Sequence, residues 1–138
     1  MSAGFDIGVS SEEVVYDIPF GFDEDGAVNA AIQVVSKNSQ KYKDAERAIS
    51  RVALKKSAVR GRPLDLKKDA DSDELLDQRD STNVALATAV TVGWYGLTNG
   101  DVEYAYSPDA AKFLYEKNTI VRDKVLAAIE DQANFLKR

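Results

Sequence analysis

Val84-Ala85-Leu86-Ala87-Thr88-Ala89-Val90-Thr91-Val92-Gly93-Trp94-Tyr95-Gly96 is apolar almost without interruption and closes on the only tryptophan of the chain, set between two glycines. A helix that is apolar on nearly every side is stable only when buried. At a rise of about 1.5 Å per residue the run would extend roughly 20 Å as a helix, about the width of a small domain. It is therefore read as the central core element. Ser72 is placed to cap this helix, with Asp73 and Glu74 in its first turn, where the helix dipole favours carboxylates. The central helix is predicted from Asp73 to about Gly93.

Working outward, the chain downstream carries clear punctuation. Asn99-Gly100 between short apolar-polar alternations predicts a two-residue β-hairpin turn. Ser107-Pro108-Asp109 predicts a helix start, with Ser107 as cap and Pro108 at the first helical position. That helix carries Ala110, Phe113 and Leu114 inward and stops near Asn118. Thr119 then caps a last helix whose Val121, Val125, Ala128, Ile129 and Leu136 form one stripe.

Upstream, Met1 to Ser11 reads as a flexible arm, and Val14, Tyr16 and Ile18 alternate as a short strand stopped by Pro19. Ala27 to about Val35 is a small-residue apolar segment read as helical, interrupted over Ser36 to Gln40. Tyr42, Ala45, Ile49, Val52 and Ala53 then recur at three- and four-residue spacing, which puts them on one arc of a helix. Lys43, Arg47, Arg51 and Lys55 fall on its opposite side. The helix is amphipathic with a basic back, and Arg60-Gly61-Arg62-Pro63 ends it.

These elements predict a mainly α fold: a compact helical domain around a buried central helix, with a short N-terminal strand and a small β-hairpin. Residues 1–26 form an acidic arm and strand, and residues 27–138 a single helical domain. A chain of 138 residues can bury enough surface to fold without a metal or disulfide.

Composition narrows the chemistry. The chain has neither cysteine nor histidine, which removes thiolate nucleophiles, zinc-ribbon ligands and the commonest proton shuttle. The expectation is a protein that is not an enzyme and uses no cofactor. A secretory signal pattern is missing, and no apolar run reaches the ~18 residues of a membrane span, so a soluble cytoplasmic protein is expected. Asp69, Asp71, Asp73 and Asp80 follow the carboxylate spacing of an EF-hand loop, but Glu74 replaces the turn glycine and Asp80 the bidentate glutamate. A capped helix start on an acidic linker accounts for them better, and no metal is expected.

The net charge of −5 conceals strong alternation. Residues 1–26 hold seven acids and no base, and residues 27–62 hold nine bases against Asp44 and Glu46. Segments of opposite sign favour self-association, with separately solvated faces as the plain alternative. The basic helix, extended by Lys37, Lys41, Lys56, Arg60 and Arg62, has only Tyr42 interleaved for base stacking, so nucleic acid is a poor partner for it. Trp94 reads first as core and second as part of a partner pocket. The candidate partner-binding residues are Lys43, Arg47, Arg51, Lys55, Trp94 and Tyr95.

Three features occur in a fixed order: Ala89-Val90-Thr91-Val92-Gly93-Trp94-Tyr95-Gly96-Leu97, then Tyr106-Ser107-Pro108-Asp109-Ala110, then Asp131-Gln132-Ala133-Asn134-Phe135. This order over roughly residues 75–138 resembles the small tail assembly chaperones of long-tailed bacteriophages. Their pattern is a helix ending in Gly-Trp-x-Gly, a hairpin, an aromatic-Ser/Thr-Pro helix start and a closing Asn-Phe pair. The resemblance implies binding without catalysis: a factor in the host cytoplasm that coats the tape-measure protein and helps recruit tail-tube subunits. A structural virion protein of the neck or tail is the alternative, and a small nucleic-acid-binding protein a more distant one.

Overall fold

The computed structural model describes residues 14–136, and the arm expected over residues 1–11 lies outside them. The chain runs β1 (Tyr16–Phe22), β2 (Val28–Val34), α1 (Gln40–Arg60), α2 (Asp69–Val90), β3 (Thr91–Tyr95), β4 (Thr98–Asn99), β5 (Val102–Glu103), α3 (Pro108–Lys117) and α4 (Thr119–Glu130), and a 3-10 turn closes it at Gln132–Phe135. Strands β1, β2 and β3 form an antiparallel sheet in that order, and β4 and β5 pair as a separate hairpin. This is an α+β fold and corrects the expected mainly α domain.

The correction begins in the stretch that was read as one buried helix. α2 covers only its first half, because at Thr91 the backbone turns extended, with φ −81° and ψ 124°. Thr91 and Val92 are β-branched and suited to a pleated surface. The helix end is satisfied by its surroundings: the Val90 carbonyl accepts from the Val35 N–H at 2.9 Å, and the Thr91 carbonyl from the Tyr106 hydroxyl at 3.0 Å. Trp94 therefore sits in a strand.

β2 replaces the helical start expected at Ala27. Ile32 and Val34 point to one face with Gln33 between them, and a period of two is that of a strand. Ile18, Ile32 and Trp94 lie opposite one another across the three strands, all buried. Pro19 does not stop β1. It lies within this strand, which has a partner on one side only, and an edge strand tolerates a missing donor. A boundary after residue 26 consequently cuts the β1–β2 hairpin.

The remaining elements follow their local chemistry with small shifts. α2 starts at Asp69 rather than Asp73, and Ser72 lies inside it, donating its hydroxyl to the Leu66 carbonyl at 2.8 Å. The small hairpin pairs Asn99 with Val102, so its turn residues are Gly100 and Asp101, with Gly100 at φ +67°. Ser107 caps α3, accepting from the Ala110 N–H at 3.0 Å, with Pro108 at its start. Asn118, not Thr119, caps α4 by accepting from the Val121 N–H at 3.1 Å. α4 ends at Glu130, and Leu136 is exposed.

One side of the sheet faces the C-terminal half of α2 together with α3 and α4. Val84, Ala87, Val90, Ala111, Tyr115, Val125, Ile129 and Phe135 meet Ile18, Ile32, Val34 and Trp94 in a single core. Lys124 of α4 reaches back to β1, donating to the Pro19 carbonyl at 2.9 Å and lying 4.4 Å from the Phe20 ring centre.

Candidate partner-binding site

α1 begins with Ser39, whose hydroxyl accepts from the Tyr42 N–H at 3.2 Å, and it ends at Gly61 in the left-handed conformation. Its 21 residues measure roughly 30 Å. Only Tyr42 among them is buried, and every residue from Ser50 to Val59 is exposed. The arc expected to be apolar is present, but only its beginning enters the core. Ala45 and Ile49 are half-buried, whereas Val52 and Ala53 face solvent.

The return to α2 is tightly built. Arg62 donates twice to the Asp71 carboxylate, at 2.6 and 3.0 Å, and the Asp65 N–H adds a third bond at 2.7 Å. Paired guanidinium and backbone donors favour the charged carboxylate, so Arg62 first and the Asp65 amide second hold Asp71 well below the usual carboxylate range. Arg60 reaches Glu74 at 3.8 Å. Asp71 is thus engaged within the chain, and the EF-like aspartates are spread along a helix; among the described residues no group of acids is arranged to hold a metal ion.

Between α1 and α2 lies an open groove of about 330 Å³. Its walls include Ala48, Ile49, Val52 and Ala53 from α1, with Ser81 and Ala85 from α2. Four of the nine lining residues are alanine or serine, the others including Lys56, Gln78 and Thr82, and side chains so short leave part of the space between the helices unfilled. Protein interiors are normally packed closely. Nearby, Val52 is 52 % exposed and Val59 90 %, with Leu66 and Leu76 also exposed.

The basic candidates occupy the far side of α1. At roughly 100° per residue, Arg47 and Arg51 lie about opposite the groove-lining Ile49, Val52 and Ala53, with Lys43 and Lys55 on the two flanks and Lys55 also lining a shallow depression with Arg60, Arg62 and Glu74. All four are exposed, and none forms an ion pair among the described residues. Leu54 and Ala58 fall within their stripe. The structure thus brings four of the sequence-selected residues together and leaves the other two elsewhere.

Trp94 is used inside the chain. Its indole N–H donates to the Tyr104 carbonyl at 2.7 Å, its ring stacks on Tyr104 with centres 5.6 Å apart, and Tyr106 meets it edge-on at 5.0 Å. Nine-tenths buried and fully hydrogen-bonded, it is a core residue. Tyr95 follows on β3 with its side chain on the opposite face of the sheet, 41 % exposed, opposite Ala31.

A second depression of about 720 Å³ lies between α2, α3 and α4 and includes Arg122. That guanidinium is already balanced by Asp123 at 3.1 Å and Asp80 at 3.9 Å. The α1–α2 groove has a mainly apolar surface, with Lys56, Gln78, Ser81 and Thr82 supplying its polar edges. Its sequence signal is visible in retrospect: the alanines Ala48, Ala53 and Ala85 mark the places where facing helices leave space.

No helix of the described residues is long and apolar enough to cross a membrane. Comparison with protein-family models, with curated proteins and with solved structures finds no match to the chain.

Proposed function

We propose that this protein is a tail assembly chaperone of a long-tailed bacteriophage, which holds apolar helical segments of the tape-measure protein in the α1–α2 groove and helps recruit tail-tube subunits. The observation that carries the reading is the open apolar groove on a helix that adds so little to the core. An amphipathic helix laid in such a groove buries its apolar face through anchors at three- and four-residue spacing. Each large side chain covered in this way contributes roughly 1.5–3 kcal/mol. The motif order of residues 75–138 supplies the identity of the client; the groove supports the mode of binding. The lack of histidine and cysteine agrees with binding in place of catalysis.

The nucleic-acid reading rests on the basic face of α1 alone and gains nothing from Tyr42. It is the only aromatic residue of α1, and it is buried. Stacking on bases needs an exposed ring.

The test is coexpression with the tape-measure protein of the same genome. The expected result is a soluble complex, lost in Ala53→Asp and Ala85→Asp variants, both of which change exposed groove positions and are expected to keep the wild-type helical circular dichroism. A tape-measure protein that stays insoluble, or is rescued equally by the groove variants, contradicts the proposal. Recovery of the chain from purified mature particles reassigns it as a structural virion protein.

A further inference from the structure

Two exposed surfaces of opposite charge form no ion pair with each other among the described residues. Asp23, Glu24 and Asp25 form the β1–β2 turn, all exposed and none in an ion pair among the described residues. The turn is ordered from within, since the Asp23 carboxylate accepts from the Asp25 N–H at 2.9 Å and from the Ala27 N–H at 3.0 Å. Phe22, 60 % exposed, and Val28, 41 % exposed, flank it. The opposite surface is the back of α1, where Lys43, Arg47, Arg51 and Lys55 surround Leu54. Asp44 falls within this stripe and leaves it a net charge of +3; its carboxylate accepts from Gln40 at 2.7 Å.

Among the described residues the turn forms no ion pair with α1 of its own chain, which packs chiefly on α2. The turn stands at one end of β2, and α1 departs from the other. Seven extended residues, roughly 20 Å, separate the two ends. β2 is hydrogen-bonded on both sides, by β1 and β3, so it is held straight.

We infer that the acidic β1–β2 turn of one copy docks on the basic back of α1 of a second copy, joining the molecules head to tail. Charge is complementary, three carboxylates meeting a stripe of net charge +3, and each side brings apolar area: Phe22 and Val28 against Leu54 and Ala58. Two different patches make the contact heterologous, so it closes into a ring or continues as a filament. The client groove is on the other face of α1 and stays open in the assembly. The inference does not depend on what that groove binds.

Sedimentation velocity of the full chain tests it. Wild-type protein is expected to associate at about 20 mM salt and to dissociate at about 500 mM, where exposed charges are screened. Glu24→Lys with Asp25→Lys is expected to weaken association at least about tenfold at low salt, as is Arg51→Glu with Lys55→Glu. Asp23 is left in place because it holds the turn. Mixing the two reversed proteins is decisive, because the wild-type turn of one variant then meets the wild-type stripe of the other, restoring one native contact in every mixed pair. Restored association supports the inference. A wild-type chain monomeric at low salt, or a mixture that stays dissociated while both variants keep their helical circular dichroism, overturns it. The groove variant Ala85→Asp is expected to self-associate as wild type does, which separates this result from loss of client binding.

Discussion

α3 and α1 put their residues to different uses. α3 is 10 residues long and places Ala111 and Tyr115 wholly inside the core; α1 is 21 residues long and buries one side chain. Helical stability in proteins comes mostly from packing an apolar face. By that measure the short helix is a structural element, and the long one exceeds what the core requires. The difference separates the region that holds the molecule together, around Trp94 and Tyr115, from the region free to bind.

The largest expected effect lies in the first region. Trp94→Ala removes a buried ring together with its stacking on Tyr104 and its bond to the Tyr104 carbonyl, and it is expected to cost about 3–5 kcal/mol. Thermal melting checks this. An unchanged midpoint accompanied by lost client binding would return Trp94 to the partner surface.

Next comes the alkaline limit of the same core. The Thr91 hydroxyl gives its only proton to the Ala87 carbonyl at 2.8 Å, so Tyr115, at 2.6 Å, is the donor to Thr91. Burial is the main cause that pushes the Tyr115 phenol up to about 12 from an ordinary value of 10.0. The unfolded chain ionises first. Stability from this group is therefore complete below pH 10 and is lost as pH rises from 10 toward 12, by about 3 kcal/mol in all. Denaturant titrations across that range should show the fall, and Tyr115→Phe should remove this part of the pH dependence.

The α1–α2 connection gives an acid-side counterpart. Because Asp71 is held low, its contribution is present above the unfolded carboxylate value of about 3.9 and is lost as pH falls below it toward the folded value. Melting midpoints of wild type and Asp71→Asn should therefore differ at pH 7 and converge in acid. A constant difference at all pH values would contradict the role given to Arg62 and the Asp65 amide.

The smallest effect belongs to the outer half of α1. Leu54→Ala and Val59→Ala remove apolar side chains that touch little, and each should shift stability by no more than about 0.5 kcal/mol. Calorimetry on either variant checks this. A cost near that of Trp94→Ala would mean that α1 is part of the core after all.

This comparison also explains what could be read from the sequence. Caps and turns are local chemistry, so Ser107-Pro108, Gly61 and the Asn99-Gly100 hairpin were legible to within a residue. The basic back of α1 followed from spacing alone. The strands β2 and β3 were not legible, because Ala27–Val35 and Thr91–Tyr95 are short apolar segments whose state depends on pairing with each other. Periodicity over so few residues does not separate a buried strand from a buried helix. The groove was missed for another reason: the sequence marks an apolar face, but the space left by Ala48, Ala53 and Ala85 exists only once α1 and α2 are side by side.

Amide hydrogen exchange across the whole chain tests the division most directly. Opening free energies range from near zero in weakly packed segments to the global value in the core. The account predicts that amides of residues 50–60 in α1 exchange by local opening, orders of magnitude faster than those of Ile32, Val34, Ala87 and Val90, and that bound tape-measure protein slows the first group alone. Equal protection of both groups in the free protein would contradict it.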